Sequence, residues 1–303
     1  MGPDLVSNPR LRSQSGPHLL VATLFLGLVF GLPLPGQSVQ YAQSALTWTE
    51  AERDYFLTLP EVSVGTDSTW PPMEYINRQG ELVGFDIDLL REIGLRAGFR
   101  PVFTTVPWDG IFAGLMAGQY DMIASSVTLL DERTRVMRFS EPYLQAAQYL
   151  VVPAARTDVR TLRDLAGGDV GAQIGTTGSR LVEATPGVTL RAYDDLGLAV
   201  EDLDRGRLAG IVADTAIVQY YILSHPRYRG NLRVADQPYT VEEYAFAIRM
   251  DLPELQAGVN KGLEMVKQDG TLKKLEAFWF PDLGPDHFDT PGEADASDGH
   301  SDG

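Results

Sequence analysis

Short apolar runs alternate with helical patterns along most of the chain, and this alternation predicts an α/β fold. The apolar runs are typical of buried strands and occur at residues 62–66, 102–106, 122–126, 149–152, 170–174, 211–213 and 244–248. Between them, apolar residues spaced by three or four positions predict helices, at residues 90–97, 111–117, 196–203 and 255–266. A further helix is expected within residues 46–60. Such alternation favours domains built on largely parallel sheets.

Two extended runs, residues 148–152 and 243–250, flank a compact middle segment and would suit two crossovers between lobes. The 303 residues are enough for two domains of ordinary size, each with its own core. We therefore expect residues 61–148 and 245–280 to form the first lobe, and residues 149–244 to form the second.

The two ends of the chain differ in composition from its body. Near the start, Arg10 and Arg12 precede an apolar run, and small residues follow at Ala42 and Ser44. This pattern is typical of an export signal, so we expect residues 1–45 to be cleaved from a periplasmic protein. A retained membrane anchor is the alternative, but the apolar run is short for a span of about 20 residues. At the other end, residues 281–303 carry several acidic residues and no Lys or Arg, which favours a disordered acidic tail.

Composition excludes several classes of function. The formal net charge of −16 disfavours nucleic acid as a partner, because phosphate binding needs clustered Lys and Arg. The chain has no cysteine, so it has no disulfide, no thiolate metal site and no lipid anchor on a cysteine. Its four histidines show no metal-ligand spacing. We therefore expect no metal and no cofactor, and a protein that is free in solution, as a monomer.

Residues that directly follow the strands are the first candidates for ligand binding, because ligands of parallel sheets bind beyond the carboxyl ends of the strands. Asp67 and Trp70 follow the first predicted strand, and Trp108 follows the second. Two facing indole rings can hold a flat or cationic group by stacking and cation–π attraction. The alternative is structural: Trp70 would pack a stiff loop before two prolines, and Trp108 would be buried beside a helix that Asp109 caps.

Hydroxyl groups and an arginine follow the third predicted strand. Ser125, Ser126 and Thr128 could bind an ammonium group, and Arg133 a few residues later could bind a carboxylate through paired hydrogen bonds. A solvent-exposed arginine at a helix start is the equally weighted alternative.

The middle segment offers an anion site and a carboxylate. Thr176 and Thr177 lie in a glycine-flanked turn between a strand and a helix, where free N–H groups can meet an anion. The turn lacks the lysine and the spacing of a phosphate loop, so a carboxylate fits better than a nucleotide. Asp214 ends an apolar strand, and it could be a helix N-cap or the acceptor of a ligand ammonium group.

Six motifs occur in order between residues 62 and 280: Gly-Glu-Leu-Val-Gly-Phe-Asp-Ile-Asp-Leu-Leu at 80–90, Trp-Asp-Gly-Ile at 108–111, Tyr-Asp-Met-Ile-Ala-Ser-Ser at 120–126, Phe-Ser-Glu-Pro-Tyr at 139–143, Gly-Thr-Thr at 175–177 and Asp-Gly-Thr at 269–271. Together they resemble the bacterial extracellular solute-binding proteins of family 3, the polar amino-acid-binding proteins of ABC importers, and the resemblance covers residues 62–280. It implies the two-lobed periplasmic-binding-protein fold of type II, the Venus flytrap, in which two hinge strands join the lobes and the first lobe takes both ends of the mature chain.

The resemblance also implies roles for the candidate residues. Arg133 would pair with the α-carboxylate of an amino acid, assisted by Ser126 or Thr128 and by the turn at Thr176. Asp214 would accept the α-amino group from the second lobe. The side chain would lie between the two tryptophans, Trp70 and Trp108, with Asp67 near its far end; this arrangement and the negative surface favour a polar or cationic ligand.

The implied function is capture of an amino acid by hinge closure and delivery to an ABC permease in the inner membrane. One alternative is the ligand-binding subunit of a sensory system, because residues 46–53 resemble the lead-in of sensory flytrap domains. A second is an enzyme similar to the periplasmic cyclohexadienyl dehydratases. That branch carries a glutamate after the position of Asp214, where this chain has Thr-Ala-Ile-Val at 215–218, so we expect no catalytic residue.

Overall fold

The computed structural model describes residues 48–235 and 237–281. The predicted export signal lies outside the described residues, and so does the predicted acidic tail after Pro281. The helices are α1 Glu50–Thr58, α2 Phe85–Ala97, α3 Ile111–Met116, α4 Asp131–Thr134, α5 Thr177–Glu183, α6 Leu196–Asp204, α7 Thr215–Ile217, α8 Pro253–Gln268 and α9 Thr271–Trp279. A 3₁₀ turn spans Leu162–Leu165, and a π-helical segment spans Val218–Ser224.

Strands occur in every region where the apolar runs predict them. They are β1 Glu61–Thr66, β2 Thr69–Trp70, β3 Glu74–Ile76, β4 Leu82–Val83, β5 Arg100–Thr105, β6 Met122–Ile123, β7 Arg138–Phe139, β8 Leu144–Pro153, β9 Asp169–Gln173, β10 Thr189–Tyr193, β11 Gly210–Asp214, β12 Leu232–Val234, β13 Thr240–Tyr244 and β14 Ala247–Ile248. The run predicted at 244–248 is divided between β13 and β14, since the chain leaves one sheet and enters another there.

Two main sheets organise the described residues. The first has the strand order β5-β1-β6-β14-β7, and the second has the order β10-β9-β11-β8-β12 with β13 also paired to β8. Only part of each sheet is parallel: β14 runs antiparallel to its neighbours in the first sheet, and β8 does so in the second. The antiparallel strands are those that adjoin the two connections between the sheets, β7 to β8 and β13 to β14.

Strand register brings the candidate loops to one edge of the first sheet. In the parallel pair of β1 and β5, Thr66 lies opposite Thr105, and in the pair of β1 and β6, Gly65 lies opposite Ile123. All three strands therefore end at the same edge, and the segments that follow them meet there. Asp67 and Trp108 thus come from different parts of the sequence to one place.

Close approach of helices through glycine builds the core beside the first sheet. Helix α8 packs on α1 and α2, where a β-carbon at Gly258 would overlap the ring of Phe56 and one at Gly262 would lie 2.8 Å from Ile93. Any larger residue would force these helices apart. No helix within residues 48–235 and 237–281 has the length and apolarity needed to cross a bilayer.

Candidate functional site

A pocket lies between the loops of the two sheets, and all of the binding residues predicted from the sequence line it. They are Asp67, Trp70, Trp108, Ser125, Ser126, Thr128, Arg133, Thr176, Thr177 and Asp214. The pocket encloses about 440 Å³, including the space at its open mouth.

Five further residues line the same pocket and escaped sequence reasoning. They are Glu74, Gln148, Gln173, Val212 and Tyr244. Two of them could have been found from the sequence, because Gln148 and Gln173 are polar residues beside or within apolar strand runs. The structure shows that both are buried. A buried polar side chain needs a hydrogen-bond partner, so such a position points to a site.

Asp67 is fixed by the turn that follows β1. Its Oδ1 accepts hydrogen bonds from the backbone N–H groups of Ser68 (2.6 Å) and Thr69 (3.1 Å). Its Oδ2 accepts one from Nε2 of Gln173 (2.9 Å), which lies on the second sheet. Burial raises the pKa of Asp67, and these hydrogen bonds oppose the shift. The carboxylate is thus oriented at the pocket wall by its own loop and by the opposite lobe.

Of the two roles that the sequence left open for Asp214, the structure shows the helix N-cap. It is the N-cap of α7, where its Oδ1 accepts from the N–H of Ile217 (3.1 Å). Asp214 lines the pocket, and its Oδ2 accepts from Nε1 of Trp70 (3.0 Å) and from the hydroxyl of Tyr244. Burial raises the pKa of Asp214 to about 6, and the hydrogen bonds from Tyr244 and Ile217 oppose the shift.

Arg133 is buried, which removes the solvent-exposed alternative. Its Nη1 donates to the backbone oxygen of Thr128 (2.9 Å), and its guanidinium lies 4.5 Å from the ring centre of Phe112. Burial lowers the pKa of Arg133 to about 10, and Arg180 lowers it further, whereas the carboxylates of Glu132 and Glu242 oppose the shift. Within the described part of the chain it forms no ion pair. Charge-assisted hydrogen bonds to an anion would offset the desolvation of such a buried guanidinium.

Trp108 lines the pocket beside Arg133, but the helix next to it begins differently from the prediction. Residue Gly110, not Asp109, is the N-cap of α3, and no side chain caps the helix. Gly110 has a φ of 102°, a conformation that glycine adopts at little cost. Asp109 is exposed. Trp108 itself is buried and packs edge-on against Phe112, with ring centres 5.1 Å apart.

A buried carboxylate network lies behind the serines. The hydroxyls of Ser125 (2.9 Å) and Ser126 (3.4 Å) donate to the carboxylate of Glu74. Burial raises the pKa of Glu74 well above its ordinary value, the nearby carboxylates of Asp86 and Asp67 raise it further, and the hydrogen bond from Ser125 opposes the shift. A cation in the pocket would oppose this shift, because it would stabilise the charged form of the carboxylate.

Asp86 supports an unusual backbone conformation at the pocket. Ser126 has a φ of 48°, in the left-handed region that non-glycine residues rarely adopt. Its N–H donates to Oδ2 of Asp86 (2.7 Å), which also accepts from the hydroxyl of Tyr143 (2.7 Å), while Oδ1 is buried without a described partner. Burial raises the pKa of Asp86 to about 7, and both hydrogen bonds oppose the shift.

This pKa predicts how stability depends on pH. Between about pH 4 and pH 7 the folded chain keeps a proton on Asp86 that the unfolded chain releases, so this group makes the free energy of unfolding fall as pH rises, by up to about 1.4 kcal/mol per pH unit. Asp86→Asn keeps an acceptor for Ser126 and Tyr143 but does not titrate. Denaturant unfolding should therefore show a shallower fall from pH 5 to pH 7 in Asp86→Asn than in the wild type. The exposed Asp109→Asn serves as the control, and parallel curves for Asp86→Asn and the wild type would contradict the assignment.

Several pairs of side chains join the lobes across the pocket. Trp70 donates to Asp214, and Gln173 donates to Asp67. At the rim, the exposed Glu132 of α4 forms an ion pair with Arg180 of α5. The lobes are thus in a closed arrangement. Among residues 48–235 and 237–281 no cluster of acidic or histidine side chains has the geometry of a metal site.

The fold and the pocket together define a class: an α/β protein of two lobes that binds a small molecule between them. The model of the bacterial extracellular solute-binding proteins, family 3, matches residues 62–282, and the chain belongs to this family. The predictions of the family and of the two-lobed type II fold are both confirmed.

Several amino-acid-binding proteins are similar to this chain over most of their length. ABC transporter arginine-binding protein 1 of Escherichia coli (strain K12) is 31% identical over 73% of this chain and 91% of its own. An ancestral arginine-binding protein bound to arginine is 33% identical, with a TM-score of 0.69 over 73% of this chain and 98% of its own. The ancestral amino acid-binding protein AncCDT-1, a precursor of cyclohexadienyl dehydratase, is 31% identical, with a TM-score of 0.69 over 75% of this chain and 98% of its own.

Proposed function

We propose that the protein captures a free amino acid by closing its lobes around it, and delivers it to the permease of an ABC importer. The observation that carries this proposal is the placement of Arg133 and Asp214 in one pocket: a buried guanidinium on one lobe and a buried carboxylate on the other. An amino-acid zwitterion has one charge for each. A ligand that contacts both lobes stabilises the closed form, because these contacts do not exist together in the open form.

The carboxylate of the ligand binds at Arg133. The guanidinium is desolvated and has no described acidic partner, so an anion that meets it gains charge-assisted hydrogen bonds without losing an existing ion pair. The side chains of Thr128, Thr176 and Thr177 line the pocket with it. Ser125 and Ser126 complete this wall.

The ammonium group of the ligand binds at Asp214. This carboxylate is 2% exposed and accepts hydrogen bonds from neutral donors only, those of Trp70, Tyr244 and Ile217. A cationic partner would favour its charged form and lower its pKa below the ligand-free value of about 6.

The side chain of the ligand is polar, and a cationic one fits best. Asp67, Glu74 and Asp214 line the pocket and carry carboxyl groups, whereas Arg133 is the single cationic residue among those that the structure describes there. An arginine or lysine zwitterion would add a second positive charge to this acidic setting. Trp70 and Trp108 line the pocket, and their sandwich of the side chain stays a prediction.

The cellular setting follows from the same proposal. We propose a periplasmic monomer whose export signal, residues 1–45, is cleaved, and whose acidic tail spans residues 281–303. The lobes comprise residues 61–148 with 245–280, and residues 149–244. Membership of a solute-binding family supports transport over a sensory role. We also propose that the protein is not an enzyme, because the turn after Asp214 lacks the glutamate expected of the dehydratase branch.

Calorimetry of the purified chain against the common L-amino acids and ornithine tests this function. We expect saturable binding of one or more of arginine, lysine, histidine and glutamine, and the strongest binding for a cation. A chain without affinity for any amino acid would reject the proposal, and turnover of prephenate or arogenate would replace it with an enzymatic function.

A further inference from the structure

Glu242 lies beside the pocket and has no role in the proposed contacts with the ligand. It is the central residue of β13, the strand that leads from the second sheet back to the first, and it is 8% exposed. Three hydroxyl groups donate to its carboxylate: Thr128 and Thr177 to Oε2, and Thr240 to Oε1, each at 2.9 Å. A side chain in the crossover strand is thus held at three points.

The two threonines that share Oε2 belong to different lobes. Thr128 follows β6 of the first sheet, and Thr177 begins α5 after β9 of the second sheet. Both also line the pocket, at the end where Arg133 donates to the backbone oxygen of Thr128. One oxygen atom of Glu242 therefore connects the two walls of the proposed carboxylate site. This connection can exist only while the lobes are closed.

The backbone of Thr128 explains what this connection holds in place. Thr128 forms an antiparallel bridge with Tyr244, and the flanking hydrogen bonds run from Leu129 N to Glu243 O and from Ala245 N to Val127 O. In this pattern the N–H and C=O groups of the bridged residue point away from the partner strand. The N–H of Thr128 therefore lies on the side of its C=O, which faces Arg133.

Thr177 offers a similar N–H group from the other lobe. It is the first residue of α5, and N–H groups in a first helical turn have no acceptor within the helix. The hydroxyl of Thr177 donates its single hydrogen to Glu242, so it cannot also donate to the ligand. The same holds for the hydroxyl of Thr128. The hydroxyls are thus used for support, and the N–H groups are left for the anion.

We propose that Glu242 is a positioning residue for the carboxylate of the ligand. It holds Thr128 and Thr177 so that their N–H groups and Arg133 converge on one anion when the lobes close. The inference rests on the proposed function, because it assumes an amino acid in this pocket. It adds a part of the site that acts through two threonines and never contacts the ligand.

Substitution of Glu242 tests the inference with L-arginine as the probe. Glu242→Ala should weaken binding about tenfold to 100-fold, the effect of losing hydrogen bonds to a charged group. The loss should arise from faster dissociation at a nearly unchanged association rate, because the connection forms only on closure. Glu242→Gln keeps one acceptor oxygen and should recover part of the affinity. Glu243→Ala, on the other face of the strand, is the matched control.

A double-mutant cycle separates positioning from a general loss of structure. Thr177→Val removes the hydroxyl that Glu242 holds in the second lobe. If Glu242 acts through this hydroxyl, Glu242→Ala combined with Thr177→Val weakens L-arginine binding less than the product of the two single effects. The inference would be overturned if the affinity losses of Glu242→Ala and Thr177→Val simply multiply in the double variant. It would also be overturned if Glu242→Ala and Glu243→Ala lose the same affinity for L-arginine. Thermal unfolding of each variant shows that the fold is retained.

Ligand-free scattering keeps this test separate from that of the function. Small-angle X-ray scattering of the ligand-free chain should show a larger radius of gyration for Glu242→Ala than for the wild type or Glu243→Ala, because a connection between the lobes is lost. If the wild type does not bind L-arginine or any other amino acid, the proposed function fails whatever the scattering shows. If it binds, but Glu242→Ala changes neither affinity nor scattering, the positioning role alone fails.

Discussion

Arg133→Ala abolishes most of the affinity for an amino acid, and we expect a loss of about 100-fold to 1,000-fold. Truncating one member of a buried charge pair has an effect of about this size, because the other charge then lies in the pocket without a partner. Arg133→Lys should recover only part of the loss, since an ammonium group cannot form the paired hydrogen bonds of a guanidinium. Calorimetry with L-arginine and with L-argininamide measures the effect.

The amide probe shows which end of the ligand Arg133 binds. The wild type should prefer L-arginine strongly over its amide, and Arg133→Ala should hardly distinguish them. Arg135→Ala is the matched control, because Arg135 is an exposed arginine two residues further along. A buried charge pair predicts a much larger loss of affinity than about threefold. If Arg133→Ala binds L-arginine within about threefold of the wild-type affinity, the assignment is wrong.

The candidate residues could be predicted because their positions depend on strand ends. Asp67, Trp108 and Ser125 follow β1, β5 and β6, whose parallel pairing requires that their carboxyl ends share one edge. Residues far apart in the sequence therefore meet without any detailed knowledge of packing. In the second sheet, Thr176 follows β9, and Asp214 is the last residue of β11, which is parallel to β9.

Other parts of the site depend on features that leave little trace in the sequence. Glu74 begins β3 of a small sheet, β2-β3-β4, whose short strands have no apolar run. Glu242 lies in β13, which pairs antiparallel with β8, and no local sequence pattern predicts this pairing. The left-handed backbone of Ser126 is stabilised by Asp86, which is 40 residues away in sequence. Such contacts between distant residues are set by tertiary packing, so local periodicity does not predict them.

The affinity for L-arginine should depend on Asp214 of the second lobe about as strongly as on Arg133 of the first. We expect Asp214→Asn to weaken L-arginine binding about 100-fold near neutral pH, because the ammonium loses a buried charged acceptor. Asparagine is also a good N-cap, so α7 should persist. The probe for this end is 5-guanidinopentanoate, which is arginine without its α-amino group. The wild type should bind it much more weakly than L-arginine, and Asp214→Asn should bind the two alike.

The pH dependence of affinity gives an independent measure of the same carboxylate. Protonation of Asp214 competes with the ligand ammonium, so wild-type affinity should fall by up to about tenfold per pH unit below its pKa of about 6. Asp67 and Glu74 titrate in both proteins, hence the difference between wild type and Asp214→Asn isolates Asp214. Asp195→Asn, at the N-cap of α6 and outside the pocket lining, should retain the wild-type profile. A profile for Asp214→Asn as steep as that of the wild type would mean that the ammonium group binds elsewhere.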